Sequence, residues 1–84
     1  MELYQEFNTE RFYTIVGKNV AKYRKKANLS QLKLALLMGL NSVSLVASAE
    51  TYPKNKKHFN LEHIYKISQI LNIDICEFFK DIDT

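Results

Sequence analysis

Along residues 9–27, Phe12, Ile15, Val16, Val20 and Tyr23 recur at three- and four-residue steps, with Lys18, Lys22, Lys25 and Lys26 mostly elsewhere. That period gathers the apolar set on one face, so it predicts a first helix from about Thr9 to Ala27. Asn28 follows, a residue that tolerates the left-handed conformation in which many helices end. Ser30 then supplies a hydroxyl able to accept an orphan N–H of the next turn. Leu29 before it and Leu34 after it are spaced for a hydrophobic staple. A second helix is expected from Gln31 to about Met38, stopped by Gly39.

A third helix is predicted over about Ser42–Glu50, after Leu40-Asn41. The next stretch, TYPKNKKHFN, reads as a polar loop with the only proline. Asn60 is placed to cap a fourth helix whose stripe is Leu61, Ile64, Ile67, Ile70 and Leu71. Phe59 and Ile64 would make the second staple, and Asn72 would end this helix as Asn28 ends the first. Asp74, with Glu77 three residues on, resembles a capping box for a short fifth helix. Phe78 and Phe79 would close the core from below. The expectation is an all-α bundle of five helices over residues 9–84, preceded by an N-terminal extension over residues 1–8.

Composition changes this picture little. A chain of 84 residues with 46% apolar and 25% charged content is one ordinary globular domain. At this length only about 60–65% of the unfolded surface is buried, which calls for compact helices or a partner. The single cysteine, Cys76, excludes an internal disulfide and fits a reducing cytosol. It is expected to be a small buried group in the fifth helix. The start, MELYQEF, is acidic where a secretory signal is basic, and Leu34–Leu40 is too short to span a bilayer. A cytoplasmic protein without membrane contact is expected.

Charge changes it more. Residues 1–17 hold one basic and three acidic side chains, residues 18–57 nine basic and only Glu50, and residues 58–84 two basic and five acidic. The net charge of +3 is therefore a basic middle between two acidic ends. Such segregation suggests a patch that faces a polyanion.

The two short helices joined at Gly39 lie within this basic middle, as a helix-turn-helix over about residues 30–50 requires. Ala35 is small where the helices would approach closely, and Gly39 permits the positive φ of a sharp turn. Leu45 is apolar where the third helix needs an anchor. At this point the chain resembles the Cro/phage-repressor (XRE-type) DNA-binding domains. The resemblance covers about residues 16–79 and rests on VGKNVAKYRKKANLSQ, LALLMGL and LEHIYKISQILNIDICEFF, with Asn72 where a glycine is usual.

The resemblance implies a lambda-repressor-like bundle that inserts its third helix into the DNA major groove, usually as a dimer. Gln31 would then bond a phosphate, and Asn41, Ser42 and Ser44 would face base edges. Two departures bear on geometry. The stretch from Gly39 to Glu50 runs about one residue long, which predicts a late start or a kink in helix three. The loop after it is longer by about three residues.

The third departure is chemical: GLNSVSLVASAE contains no Arg, Lys or Gln, the commonest readers of base edges. Affinity and reading are separable, however, because phosphate neutralisation supplies most non-specific binding. Lys18, Lys22, Arg24 and Lys33 before the third helix, and Lys54, Lys56, Lys57 and His58 after it, are the candidate phosphate contacts. Short side chains would read the bases: Asn41 pairing with adenine, Ser42 and Ser44 donating or accepting, Val43 on a thymine methyl. Asn41 has an alternative role as the cap of helix three.

Helix two reads QLKLALLM, and Leu32 and Leu36 share a face where the family normally exposes charge. That face is expected to be covered by Leu3, Tyr4 and Phe7 or by a second subunit. His58, His63 and Cys76 lack metal-ligand spacing, and no nucleophile-and-base arrangement or glycine-rich phosphate loop appears. Neither enzyme, metal nor cofactor is expected. The leading expectation is a small homodimeric repressor of double-stranded DNA. The alternative is a protein-interaction module or antitoxin component that keeps the fold, with its partner on helix two.

Overall fold

The computed structural model describes residues 7–83, and among them every regular element is a helix. Helix α1 spans Thr9–Lys26, α2 Gln31–Leu37, α3 Ser44–Glu50 and α4 Leu61–Leu71, followed by a 3-10 helix over Ile75–Phe79. The stops and starts are local chemistry. Asn8 and Ser30 accept the N–H groups of Arg11 and Lys33, capping α1 and α2. Asn28 and Asn72 take φ of 58° and 54°, the left-handed ends that their side chains tolerate. Gly39, at φ 88°, turns the chain out of α2.

Asn60 caps α4 through a reciprocal pair: its side chain accepts from the His63 N–H, and its own N–H donates to His63 Nδ1 at 3.0 Å. Histidine here stands where glutamate or glutamine completes the usual capping box. The last element is a 3-10 helix rather than a fifth α-helix. Asp74 caps it by accepting from the Cys76 N–H, but Glu77 does not reach back. Its carboxylate instead accepts the Tyr23 hydroxyl at 2.7 Å and pairs with Lys80. Cys76 is exposed, not buried.

The core is one cluster. Val16 and Val20 of α1, Leu34, Ala35 and Met38 around α2, Val46 and Ala49 of α3, Phe59, Ile64, Ile67 and Phe78 are all buried. Phe59 and Ile64 of the second expected staple and Leu34 of the first lie in this core, whereas Leu29 is only half-buried. Helix α1 is the spine against which α3, α4 and the 3-10 helix pack. Its approach to α3 is close enough to require a glycine: a Cβ on Gly17 would lie 2.2 Å from the Ala49 carbonyl oxygen. On its other edge, Asn19 Nδ2 donates to the carbonyls of Phe78 and Lys80 at 2.9 and 3.0 Å. Those carbonyls end the 3-10 helix and would otherwise lack partners.

Candidate nucleic-acid interface

Helix α3 begins late. Asn41, Ser42 and Val43 form a bend, Val43 is the N-cap with no side-chain cap, and the first helical residue is Ser44. The extra residue between Gly39 and Glu50 is thus absorbed ahead of the helix. It also moves the anchor by one position: Val46 is fully buried, whereas the predicted anchor Leu45 is half-buried. Asn41 does not cap the helix. It stands exposed with Ser42, Val43 and Ser44 at the tip. The Ser42 hydroxyl oxygen accepts from the Ser44 N–H at 3.3 Å, which leaves its O–H free to donate outward.

With seven residues, α3 is about 10 Å long, and Val46, Ser48 and Ala49 face inward. The outward side therefore consists of the tip and little else. Ala47 is half-buried and Thr51 spends its hydroxyl on the Ala47 carbonyl at 2.9 Å.

The other end of α3 is held by a charge network that helical period does not reveal. Arg24 donates to both Glu50 carboxylate oxygens and to the Leu29 carbonyl, and Gln31 Nε2 donates to Glu50 at 2.9 Å. The Arg24 side chain is 9% exposed. Arg24 is therefore not a phosphate contact: its guanidinium is committed inside the protein. Gln31 keeps its place at the start of α2, but its amide donor is turned to the same carboxylate. One signal in the sequence points to this network, since Glu50 is the only acid among residues 18–57 and a lone acid there needs a reason.

This pairing leaves the basic middle undiluted. None of the eight lysines between residues 18 and 57 forms an ion pair among the described residues. Their positions differ. Lys33 is exposed on α2, and Lys54, Lys56 and Lys57 are exposed on the loop after α3. That loop is fixed at its feet. Thr14 Oγ1 donates to the Tyr52 carbonyl at 3.3 Å, and the Tyr13 ring stacks on His58 at 3.6 Å between centroids. His58, expected at a phosphate, is instead half-buried in this aromatic contact with its Nδ1 3.2 Å from the Phe59 carbonyl. Lys18 and Lys22 are exposed but lie about 100° and 140° round α1 from the Gly17 edge that meets α3. They belong to the outer stripe of that helix.

The geometry is thus a polar, uncharged tip at one end of a short helix and free ammonium groups on α2 and on the loop at the other. The family model for helix-turn-helix domains matches residues 20–78, which spans this whole arrangement. The chain belongs to the Cro/C1-type helix-turn-helix family. Two solved proteins of similar shape bear on it. The restriction-modification controller protein C.AhdI from Aeromonas hydrophila is 30% identical, with TM-score 0.68 over 80% of this chain and 96% of that one. A hypothetical transcription factor, NHTF from Neisseria, is 23% identical with TM-score 0.68 over 93% of this chain and 86% of that one, a likeness of fold. No curated protein sequence matches the chain.

Leu32, Leu36 and Leu37 of this helix-turn-helix are each about half exposed, so nothing among the described residues fully covers that face of α2. Phe7 sits at the start of α1, beside Ile82, with the 18-residue length of α1 between it and α2. It does not reach that face; Leu3 and Tyr4 lie outside the described residues. No helix among those residues is long and apolar enough to cross a membrane, and no group of three potential metal ligands converges.

Proposed function

We propose that the chain is a transcriptional repressor that works as a homodimer and presents Asn41–Ser44 to the major groove of double-stranded DNA. The observation that carries this reading is the exposed tip of α3, with unpaired lysines on α2 and on the loop beyond the other end of α3, on a framework shared with a controller of restriction-modification. Lys33, Lys54, Lys56 and Lys57 neutralise phosphates and set affinity, with Gln31 joining them if its amide leaves Glu50. Asn41, Ser42, Val43 and Ser44 touch bases. Their short reach demands close approach of the backbone, which the small exposed side chains of Ser42 and Ser44 permit. Forgoing arginine surrenders roughly 1–3 kcal/mol of discrimination per base, so two half-sites or DNA shape must supply the remainder.

A mobility shift on random duplex across a salt series tests the first part. Binding should be present at low salt and fall steeply as salt rises. Its absence at low salt would favour the second reading, a protein-interaction module or antitoxin component. The half-exposed Leu32 and Leu36 on α2 support that alternative. Selection of bound sequences from a random pool then tests whether the tip reads bases.

A further inference from the structure

Three aromatic rings converge where the loop between α3 and α4 leaves and rejoins the bundle. Tyr13 of α1 stacks on His58 with 3.6 Å between centroids and 13° between planes, and it meets Tyr52 edge-on at 5.6 Å. Tyr52 in turn meets His58 edge-on at 6.0 Å. The segment they enclose, Pro53–Lys57, carries the exposed Lys54, Lys56 and Lys57, and residues 51–61 contain no carboxylate.

Like charges so close along a chain repel one another and favour a spread loop. Two tight turns oppose the spreading: the N–H of Lys54 donates to the Thr51 carbonyl and that of Lys56 to the Pro53 carbonyl, both at 3.1 Å. These bonds fold the loop on itself without fixing it to the bundle. The polar ties to the bundle are long. Asn55 Nδ2 reaches Ser48 Oγ at 3.5 Å, and Thr14 Oγ1, 3.3 Å from the Tyr52 carbonyl, makes its shorter bond to the Glu10 carbonyl at 2.8 Å. The rings therefore do most to tie this segment to α1. One turn further along α1, Gly17 meets Ala49 of α3, so the lysines and the tip of α3 share one reference helix.

We propose that Tyr13 is a positioning residue for DNA binding: through His58 and Tyr52 it holds Lys54, Lys56 and Lys57 where they meet phosphates, without touching DNA itself. This role rests on the DNA-binding reading above. A loop that visits its binding arrangement only part of the time loses apparent affinity in proportion. Breaking the clamp weakens binding but leaves the same lysines available, so the same number of phosphates is neutralised. The slope of log affinity against log salt, which counts those phosphates, should then be kept.

A salt series on random duplex tests it. Tyr13→Leu, apolar but without a ring, should bind roughly three- to tenfold more weakly at every salt concentration, the equivalent of one aromatic pair. Tyr13→Phe keeps the ring and should restore wild-type affinity. Once Lys54, Lys56 and Lys57 are all changed to Gln, Tyr13→Leu should have no further effect, because it acts only through them. Should Tyr13→Leu fail to fold, His58→Leu breaks the same stack from the loop side and is read in the same way. An equal loss with and without the lysines marks general damage to the fold and overturns the proposal. So does a Tyr13→Leu protein that binds like the wild type.

The clamp is also measurable without DNA. Trypsin should cut after Lys54, Lys56 and Lys57 faster in Tyr13→Leu than in the wild type, with no comparable gain at Lys22 within α1. The two readings fail separately. Equal cutting in the two proteins ends the clamp even where duplex is bound. A wild type that shifts no duplex at low salt ends the DNA reading, and the positioning role with it, whatever the protease shows.

Discussion

Arg24 holds both oxygens of Glu50, at 2.7 and 3.0 Å, and so bolts the end of α1 to the end of α3. Both side chains are nearly dry, and Gln31 and the Leu29 carbonyl satisfy further valences. Removing one partner strands the other charge in a place water barely reaches. Glu50→Ala should therefore cost about 3–5 kcal/mol, seen as a lower urea midpoint. The double change Arg24→Met with Glu50→Leu should cost less than either single change. If Glu50→Ala is nearly silent, the pair is not the clamp described.

Gly17 sets the distance between the same two helices. In a helix interior alanine is favoured over glycine by about 1 kcal/mol, so propensity alone makes Gly17→Ala stabilising. The Cβ would sit 2.2 Å from a backbone oxygen of Ala49, which cannot swing aside as a side-chain tip could. Overpacking of this kind costs about 1–3 kcal/mol, and it should prevail. Thermal unfolding of Gly17→Ala should show a net loss of stability and, because α3 is displaced, weaker DNA binding. A rise in Tm would show that the helices adjust freely.

The contrast between these two positions and the helix ends explains what the sequence could yield. Helix stripes, caps and asparagine stops are legible because each is a local pattern: Ser30, Asn60, Asn28 and Asn72 all perform their expected roles. Gly17 and Arg24 act across space. Their partners lie 32 and 26 residues away, beyond the reach of helical period, and only the lone acid Glu50 in the basic middle hints at the second of them. The Leu45–Val46 shift has another cause. Spacing shows that a residue is extra, but only the bend at Asn41–Val43 shows where it is taken up. Glu77 departs from its expected role because its position suits a cap while Tyr23 and Lys80 compete for the carboxylate more effectively.

Phosphate and base contacts should separate under substitution. Lys54→Gln, Lys56→Gln and Lys57→Gln should each lower the slope of log affinity against log salt by about 0.9 for every phosphate no longer neutralised, uniformly across sequences. Lys22→Gln, on the outer stripe of α1, should leave that slope nearly unchanged. Equal effects from Lys22 and the loop lysines would mean that binding follows net charge and not the described face.

Asn41→Ala addresses reading alone. Because Asn41 is exposed and Val43 occupies the cap position, stability should change by less than about 0.5 kcal/mol. Preference at one base pair should relax by about 1–3 kcal/mol, measured by competition among single-base variants of the selected site. Folding damage together with a uniform loss of affinity would return Asn41 to a structural role.

The cap of α4 makes a pH dependence. His63 accepts the Asn60 N–H at Nδ1, a bond that a protonated imidazole cannot make. Partial burial pushes its pKa below the ordinary histidine value, with Lys66 and His58 acting the same way and Glu62 opposing. In the unfolded chain His63 titrates near its ordinary value of about 6.5. Between that value and the lower folded one, the unfolded state binds more protons, so stability rises with pH. The contribution is complete above about pH 6.5 and is lost as the pH falls through the folded value. His63→Gln keeps an acceptor at the same position of the box but removes the titration. Urea midpoints between about pH 5 and 7.5, a range that brackets the histidine titration, should fall on acidification in the wild type and fall less in His63→Gln. Identical slopes in the two proteins would place the proton uptake between about pH 5 and 7.5 at another group, though not at the carboxylates of Asp74 and Glu77. Both of those are held below their usual range, by the Cys76 N–H and the Tyr23 hydroxyl respectively, so their contribution is lost at lower pH.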